Sequence, residues 1–208
     1  MNKKGILVVI SGFSGAGKGT LMKELLRRYD KYALSISATT RRPREGEENG
    51  REYFFKTKEE FEQMIADGEL IEYAQYVSNY YGTPKEYVYK CLEDGKDVIL
   101  EIEIQGALKV KEKFPQTLLI FVTPPSAEEL KRRLVGRGTE TAQVIANRMN
   151  RAVEESAYMD QYDYLLVNDD LDAATVELHE LIQSQHKKLS ENLPFVGQIQ
   201  KELEELQK

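Results

Sequence analysis

Apolar residues along this chain fall into two patterns, short continuous runs and runs with helical spacing. The short runs are rich in β-branched residues and predict buried strands. After the first run, they are separated by helical or irregular stretches. Strands that alternate with helices are typical of a mainly parallel sheet covered on both faces. The predicted core strands are Ile6–Ile10, Ala33–Ile36, Asp97–Ile102, Leu118–Val122 and Tyr164–Val167.

A first segment, residues 37–90, interrupts this alternation. Residues 42–51 are polar and contain proline and glycine, which predicts a loop. The aromatic residues 53–55 predict a short strand, and a capping box predicts a helix from Thr57 to Gly68. Residues 83–86 (Thr-Pro-Lys-Glu) predict another helix start, with proline in the first turn.

A second segment, residues 126–156, also lies outside the strand pattern. A cap at Ser126 predicts one helix, which Gly136 ends, and apolar spacing predicts a second helix after it. Both helices are rich in arginine. An arginine-rich helical pair outside the sheet is typical of a lid that closes over polyphosphate. The polar tail, residues 185–208, has the spacing of an amphipathic helix, which we expect to pack on the core or on another subunit.

Composition bounds the class of protein. The chain has 208 residues, 41% hydrophobic and 31% charged, which is ordinary for one globular domain with small insertions. No apolar run approaches the ~20 residues of a membrane helix. The short start before the first strand and the single cysteine, Cys91, favour a cytoplasmic protein without disulfides. We expect Cys91 to be a buried helical residue, and two isolated histidines do not indicate a zinc site.

The net charge of −6 argues against nucleic-acid binding. Basic residues nevertheless cluster over residues 41–44 and again over residues 131–151. Basic clusters in an acidic protein suggest small phosphorylated substrates, although each cluster alone is also typical of a solvated surface.

The most specific local signal is a glycine-rich run, Gly12-Phe13-Ser14-Gly15-Ala16-Gly17-Lys18-Gly19-Thr20, between the first strand and a helix. A phosphate-binding loop needs this context, because glycines let backbone N–H groups point at an anion beside a helix N-terminus. Lys18 is then placed to reach the terminal phosphates. Gly19 stands where serine or threonine usually binds Mg²⁺, and Thr20 follows it, so direct metal coordination by the loop is left open.

A series of motifs in order resembles the guanylate kinase family from about residue 5 to about residue 183. Besides the glycine-rich loop, these are Ser37-Ala38-Thr39-Thr40-Arg41-Arg42-Pro43-Arg44, Glu45-Gly46-Glu47-Glu48-Asn49-Gly50-Arg51-Glu52-Tyr53, Ile71-Glu72-Tyr73-Ala74, Asn79-Tyr80-Tyr81-Gly82-Thr83, Gln105-Gly106, Gly136-Arg137-Gly138-Thr139-Glu140 and Val167-Asn168-Asp169-Asp170. A single phosphate loop is shared by a whole superfamily, whereas this series is specific.

The resemblance implies a fold and a reaction. The expected fold is α/β, a P-loop NTPase-type parallel sheet core flanked by helices, with a GMP-binding insertion and a helical lid. One domain then spans residues 1–184, and its divisions are the core (1–36, 91–125, 157–184), the insertion (37–90) and the lid (126–156). The reaction moves the γ-phosphate of ATP to GMP, and to dGMP, with Mg²⁺ as cofactor. ATP and GMP are the expected partners, without nucleic acid or membrane, and a homo-oligomer is left open.

The resemblance also assigns site residues, motif by motif. Implied catalytic residues are Lys18, Arg41, Arg137 and Arg148. Implied ATP-binding residues are Gly12, Ser14, Gly15, Ala16, Gly17, Lys18, Gly19, Thr20, Arg133, Arg137 and Asn168, and Thr20 is the implied metal ligand. Implied GMP-binding residues are Ser37, Arg41, Arg44, Tyr53, Glu72, Tyr81, Thr83, Glu101 and Glu103.

Residue chemistry agrees with these roles at Glu72. Guanine presents N1–H and an amino group side by side, and one carboxylate can accept from both, whereas adenine lacks that paired edge. The chain departs from the family's usual pattern at Phe13, where proline is common, and at Glu101 and Glu103, where aspartates are common. Two rival hypotheses remain: a kinase for AMP or a pyrimidine monophosphate, and a non-catalytic scaffold domain that binds phosphoproteins.

Overall fold

The computed structural model describes residues 4–76, 78–136 and 141–207, without the side chain of Tyr76. Strands and helices alternate along these residues. The strands are β1 (Leu7–Gly12), β2 (Tyr32–Leu34), β3 (Ala38–Thr39), β4 (Phe54–Phe55), β5 (Leu70–Tyr76), β6 (Asn79–Pro84), β7 (Asp97–Glu101), β8 (Leu118–Thr123) and β9 (Tyr164–Val167). The helices are α1 (Lys18–Arg28), α2 (Lys58–Ala66), α3 (Lys85–Glu93), α4 (Ile104–Lys113), α5 (Ala127–Val135), α6 (Ala142–Ser156), α7 (Leu171–Gln185) and α8 (Leu193–Glu205).

The core is a five-stranded sheet in the order β2-β7-β1-β8-β9, and its strand pairs are all parallel. Successive residues of β1 contribute to different apolar clusters, since Val8 packs in the cluster that includes residues of α1 and α7, and Val9 packs in the cluster that includes residues of α3 and α4. Both faces of the sheet are therefore covered, which confirms the parallel architecture that the alternating pattern predicts.

A second sheet of four strands, in the order β4-β3-β6-β5, lies within residues 37–90. The sequence predicts only its β4 strand. The hairpin of β5 and β6 has no clean alternation of apolar and polar residues, because it carries Glu72 and Thr83 as buried polar residues and exposes Tyr73. The pairing of β5 with β6 therefore depends on contacts between the two strands and not on an alternation of apolar and polar residues within each strand.

The helix starts follow their predicted caps, with one correction. Thr57 and Glu60 form the capping box, in which the Thr57 side chain accepts from the Glu60 backbone and the Glu60 side chain accepts from the Thr57 backbone. α3 begins only at Lys85, with Pro84 at its N-cap rather than in its first turn. Thr83 is fully buried near the end of β6. Its hydroxyl donates a hydrogen bond to the Glu72 side chain and does not cap α3.

The tail forms a helix, as predicted, but the helix does not bury its apolar residues. In α8, no residue is buried, and Phe195 keeps 57% of its surface exposed. Cys91, predicted to be buried, is only partly so, at the edge of the cluster under α3. Among the described residues, no helix combines the length and apolar character that crossing a membrane requires.

Candidate active site

The glycine-rich loop joins the end of β1 to the start of α1. Gly12, Gly15 and Gly17 adopt positive φ angles of 153°, 98° and 88°. A Cβ on Gly12 would lie 2.1 Å from the carbonyl oxygen of Val122 in the neighbouring strand. Only glycine therefore fits where β1 leaves the sheet, and the loop turns sharply enough to present the N-terminus of α1 to the cleft.

Lys18 and Asn168 both donate side-chain hydrogen bonds to backbone carbonyl oxygens of this loop. The Lys18 ammonium donates to the carbonyl oxygens of Gly12, at 2.6 Å, and Phe13, at 3.3 Å. The buried Asn168 side chain donates to the carbonyl oxygen of Ala16 at 2.8 Å. Asn168 thus supports the loop backbone from the end of β9, a contact that the sequence does not reveal. Its contribution to an adenine pocket stays a prediction.

Phe13, which stands where proline is common in the family that the chain resembles, packs into the core. Its ring is 8% exposed and packs edge-on against Phe121 of β8, with ring centroids 5.0 Å apart. The loop is therefore anchored to the core by an aromatic contact.

An open cleft of about 360 Å³ lies over the loop, and its lining includes Ser14, Lys18, Thr20 and Glu101. Glu101 ends β7, at the carboxyl edge of the parallel sheet where open α/β sheets bind ligands. Desolvation in the cleft raises the pKa of the Glu101 carboxyl, and the nearby Lys18 ammonium opposes that rise. The cleft thus combines an anion-binding loop, a cation and a carboxylate.

Helices α5 and α6, the predicted lid, bring two of the predicted arginines to the loop. Arg148 of α6 donates to the Ser14 hydroxyl. Arg133 of α5 donates to Glu129 at 2.6 Å, and its guanidinium lies 3.9 Å from the position that a Cβ on Gly17 would take. Arg137 lies outside the described residues.

Three glutamates, of which only Glu103 is among the predicted site residues, hold arginines of α5 and α6. Glu129 binds Arg132 as well as Arg133, and these hydrogen bonds lower the pKa of its carboxyl to about 2. The i, i+4 spacing of Glu129 and Arg133 is a signal that could have identified this pair. Arg151 bridges Glu103 at the start of α4, at 2.7 Å, and Glu155 in α6, at 2.9 Å.

Aromatic and basic residues meet at one edge of the second sheet. The Arg41 guanidinium lies 5.3 Å from the Tyr53 ring centroid, and the Tyr53 and Tyr81 rings are 6.1 Å apart. Glu47, which the sequence analysis missed, holds Arg41 through two contacts of 2.9 Å and accepts the backbone N–H of Arg44. The hydrogen bond from Arg41 lowers the pKa of the Glu47 carboxyl. This group of residues offers phenol and guanidinium donors suited to a phosphate monoester.

The hairpin of β5 and β6 places Glu72 beside Thr83, and both are among the implied GMP-binding residues. Thr83 Oγ1 donates to Glu72 Oε1 at 2.8 Å, and the two residues are 0% and 7% exposed. Burial raises the pKa of the Glu72 carboxyl; the Thr83 hydrogen bond and the charges of Lys109 and Lys113 lower it less. Ser37 is half-buried, and its carbonyl oxygen accepts the N–H of Phe54, so its backbone ties β4 to the loop before β3.

Comparison with known proteins gives consistent results. The model of the family described as "Guanylate kinase" matches residues 4–185. The chain is 54% identical to the guanylate kinase of Bacillus subtilis (strain 168) over 189 residues, which are 90% of this chain and 93% of that protein. It is 49% identical to the guanylate kinase of Caldanaerobacter subterraneus over 202 residues, 97% of this chain and 98% of that protein.

A solved structure has the same fold. The crystal structure of guanylate kinase from Anaplasma phagocytophilum superposes with a TM-score of 0.70 at 31% sequence identity, covering 89% of this chain and 88% of that one. Sequence and structure comparisons therefore lead to one family.

Proposed function

This chain belongs to the guanylate kinase family, and from that premise we propose which of its residues carry out the transfer of the γ-phosphate from ATP to GMP. In this reaction an oxygen of the GMP phosphate forms a bond to the γ-phosphorus. The bond from that phosphorus to the bridging oxygen breaks, and its electron pair leaves with ADP. Catalysis of this kind needs mainly positioning and charge neutralisation.

The glycine-rich loop and the lid supply the positive charge around the transferred group. Loop N–H groups and Lys18 bind the ATP phosphates, and Arg148 adds a guanidinium from the lid. The hydrogen bond from Arg148 to Ser14 of the loop supports this role, because it places the guanidinium at the rim of the phosphate cleft. Arg133 and Arg137 complete the lid's contribution, and lid closure excludes water from the reaction.

The insertion binds the acceptor nucleotide. Arg41, Arg44, Tyr53 and Tyr81 bind the GMP phosphate, while Glu72 reads the base. An ionised Glu72 accepts from N1–H and the amino group of guanine. Ser37 and Thr83 also bind GMP beside Glu72. Glu101, at the end of β7, and Glu103, at the N-cap of α4, bind GMP from the core sheet. We expect dGMP to be a second acceptor, because the proposed contacts are to the phosphate and the base and do not involve the 2′-hydroxyl.

The chemistry of the cleft fits a Mg²⁺ ion that arrives with ATP. Mg²⁺ bound to nucleotides needs one or two protein oxygens besides phosphates and waters. The Glu101 carboxylate and the Thr20 hydroxyl both line the cleft and can supply them. No group of three or more His, Cys, Asp or Glu side chains suited to a metal is found within the described parts of the chain. When bound, Mg²⁺ neutralises charge on the phosphates.

We also propose that the protein works in the cytoplasm on small nucleotides, without nucleic-acid or membrane partners, and that it assembles with copies of itself. The net charge of −6 supports the absence of nucleic-acid partners, and the exposed apolar residues of α8 support self-assembly. Light scattering coupled to size-exclusion chromatography measures the mass in solution, and a monomer at micromolar concentration contradicts self-assembly.

The observation that carries the proposed function is the buried pair of Glu72 and Thr83, because it points to an acceptor with two adjacent donors. ADP release should be measured with GMP, dGMP, AMP, CMP and UMP as acceptors. We expect GMP to be preferred by orders of magnitude. Preference for AMP or a pyrimidine nucleotide contradicts the base assignment. No transfer to any acceptor favours a non-catalytic phosphoprotein-binding domain instead.

A further inference from the structure

Gly106 lies in the first turn of α4, where a glycine has no local explanation. Its φ angle is not among the positive ones, so the backbone there suits any residue. Glycine inside a helix is less stable than alanine. Gln105-Gly106 belongs to the motif series of the chain, but neither residue is among the predicted site residues.

A hydrogen atom in place of a side chain at Gly106 keeps α4 clear of Glu72. A Cβ at this position would lie 3.3 Å from Glu72 Oε2 and 3.4 Å from the Ile102 side chain. A separation of 3.3 Å is tighter than most contacts that a Cβ makes. Either the carboxylate or the helix must therefore move to accommodate even one methyl group.

The carboxylate has little freedom to move. Its Oε1 accepts the hydrogen bond from Thr83, which is itself fully buried. Across the hairpin, a Cβ on Gly82 would lie 2.9 Å from the Glu72 carbonyl oxygen, so the backbone of β5 is also closely packed at Glu72. With Oε1 bound to Thr83, the Glu72 side chain has Oε2 toward Gly106 of α4.

We propose that Gly106 is a specificity-determining position of the acceptor site. It leaves Oε2 of Glu72 undisplaced and open to a donor N–H of the base. A donor must approach an acceptor oxygen to about 2.7–3.2 Å, and a methyl group at 3.3 Å occupies the neighbouring space on the α4 side. This inference rests on the proposed function, in which Glu72 reads guanine.

The direct test is Gly106→Ala, with KM and kcat measured for both substrates and GMP affinity measured by calorimetry without ATP. We expect KM and Kd for GMP to rise about tenfold or more, while KM for ATP stays within about twofold. The melting temperature should stay equal or rise, because alanine favours the helix. Gly197→Ala is the matched control, since Gly197 is also helical and a Cβ there meets nothing within 4 Å.

Three outcomes overturn this inference. A folded Gly106→Ala protein with unchanged KM for GMP shows that the position does not shape the site. Equal rises in KM for GMP and ATP indicate a general distortion of the core. If Gly106→Ala does not fold, Glu72→Asp/Gly106→Ala is tested, because the shorter carboxylate removes the contact; a double variant that also fails to fold shows that glycine serves packing alone.

Glu72→Gln separates this inference from the proposed function. If Glu72→Gln leaves the use of GMP unchanged, Glu72 does not read the base and the proposed function of the site fails. If Glu72→Gln impairs GMP but Gly106→Ala does not, only the role of Gly106 fails. When both are correct, Gly106→Ala adds less in the Glu72→Gln background than in the wild type, a non-additivity that the double-mutant cycle measures.

Discussion

Asp97 and Glu72 are both buried carboxylates, but they lie in different regions and have different surroundings. Asp97, at the start of β7 in the core sheet, is 2% exposed and accepts hydrogen bonds from the Ile6 backbone, Gln183 and His186 at 2.8–3.0 Å. Glu72, in the insertion, is 7% exposed, and Thr83 is the one hydrogen-bond donor to its carboxylate among the described residues.

The difference distinguishes a carboxylate whose hydrogen bonds are supplied by the protein from the carboxylate that we propose to bind the base. A buried charge is costly unless hydrogen bonds compensate it, so the contacts of Asp97 join β7 to the N-terminal strand region and to the end of α7. Glu72 has fewer protein partners, and burial raises the pKa of its carboxyl. A buried acceptor left with free capacity is suited to bind donors from a ligand, and the guanine edge has two.

The largest expected effect tests Glu72 directly. Glu72→Gln removes the charge and one acceptor, so the use of GMP should fall strongly, while the new amide can donate to N1 of adenine. Sites that depend on such pairing discriminate by ~10⁴ or more, and the ratio of kcat/KM for GMP to that for AMP should fall by a large part of that factor. An unchanged ratio would leave the base assignment to Ser37 and Thr83 alone.

A second prediction extends the comparison to a cation. Lys18 lines the cleft over the glycine-rich loop and donates hydrogen bonds to carbonyl oxygens of that loop. Lys18→Ala should lower kcat by ~10²–10³ while the circular dichroism spectrum and melting temperature change little, because the lost charge acts on phosphates. Lys58→Ala, which removes an exposed lysine of α2, is the control. Near-normal turnover of folded Lys18→Ala protein would exclude the role.

The third prediction concerns the structural carboxylate. Asp97→Ala leaves the Ile6 N–H, the Gln183 amide and the His186 ring without their acceptor, so the free energy of unfolding should fall by about 2–4 kcal/mol. Urea denaturation measures the loss, and turnover per folded molecule should be unaffected because Asp97 lies outside the cleft. Asp94→Ala, at an exposed position at the C-terminal end of α3, is the control. An Asp97→Ala protein of unchanged stability that has lost activity would contradict the structural role of Asp97.

The smallest expected effect is on the pH dependence of stability. Because the folded-state pKa of Glu72 is raised above its ordinary value of about 4.5, its contribution to stability is fully present below that value and is lost as pH rises through the folded pKa. Glu72→Gln removes this titration. Its free energy of unfolding relative to the wild type should therefore be higher at about pH 7.5 than at about pH 4.5. If the difference in unfolding free energy is constant over this pH range, the ionisation of Glu72 does not destabilise the folded protein.

Local sequence determined the core and the phosphate loop. The parallel strands, the capping box of α2, the Ser126 cap of α5 and the strand–loop–helix context of Lys18 all follow from patterns within a few residues. Strand and helix periods are local properties of the backbone, and a phosphate loop is closed by neighbouring residues, so one window of sequence contains the whole signal.

Only the tertiary structure decided the second sheet, the partners of Asp97 and the surroundings of Glu72. β5 and β6 lack a local period, the donors to Asp97 come from both ends of the chain, and Gly106 approaches Glu72 from a different element. The role of a buried polar group depends on which atoms from other elements form hydrogen bonds with it and on which of them leave space beside it. That information arises when separate elements pack together, and no single stretch of the sequence carries it.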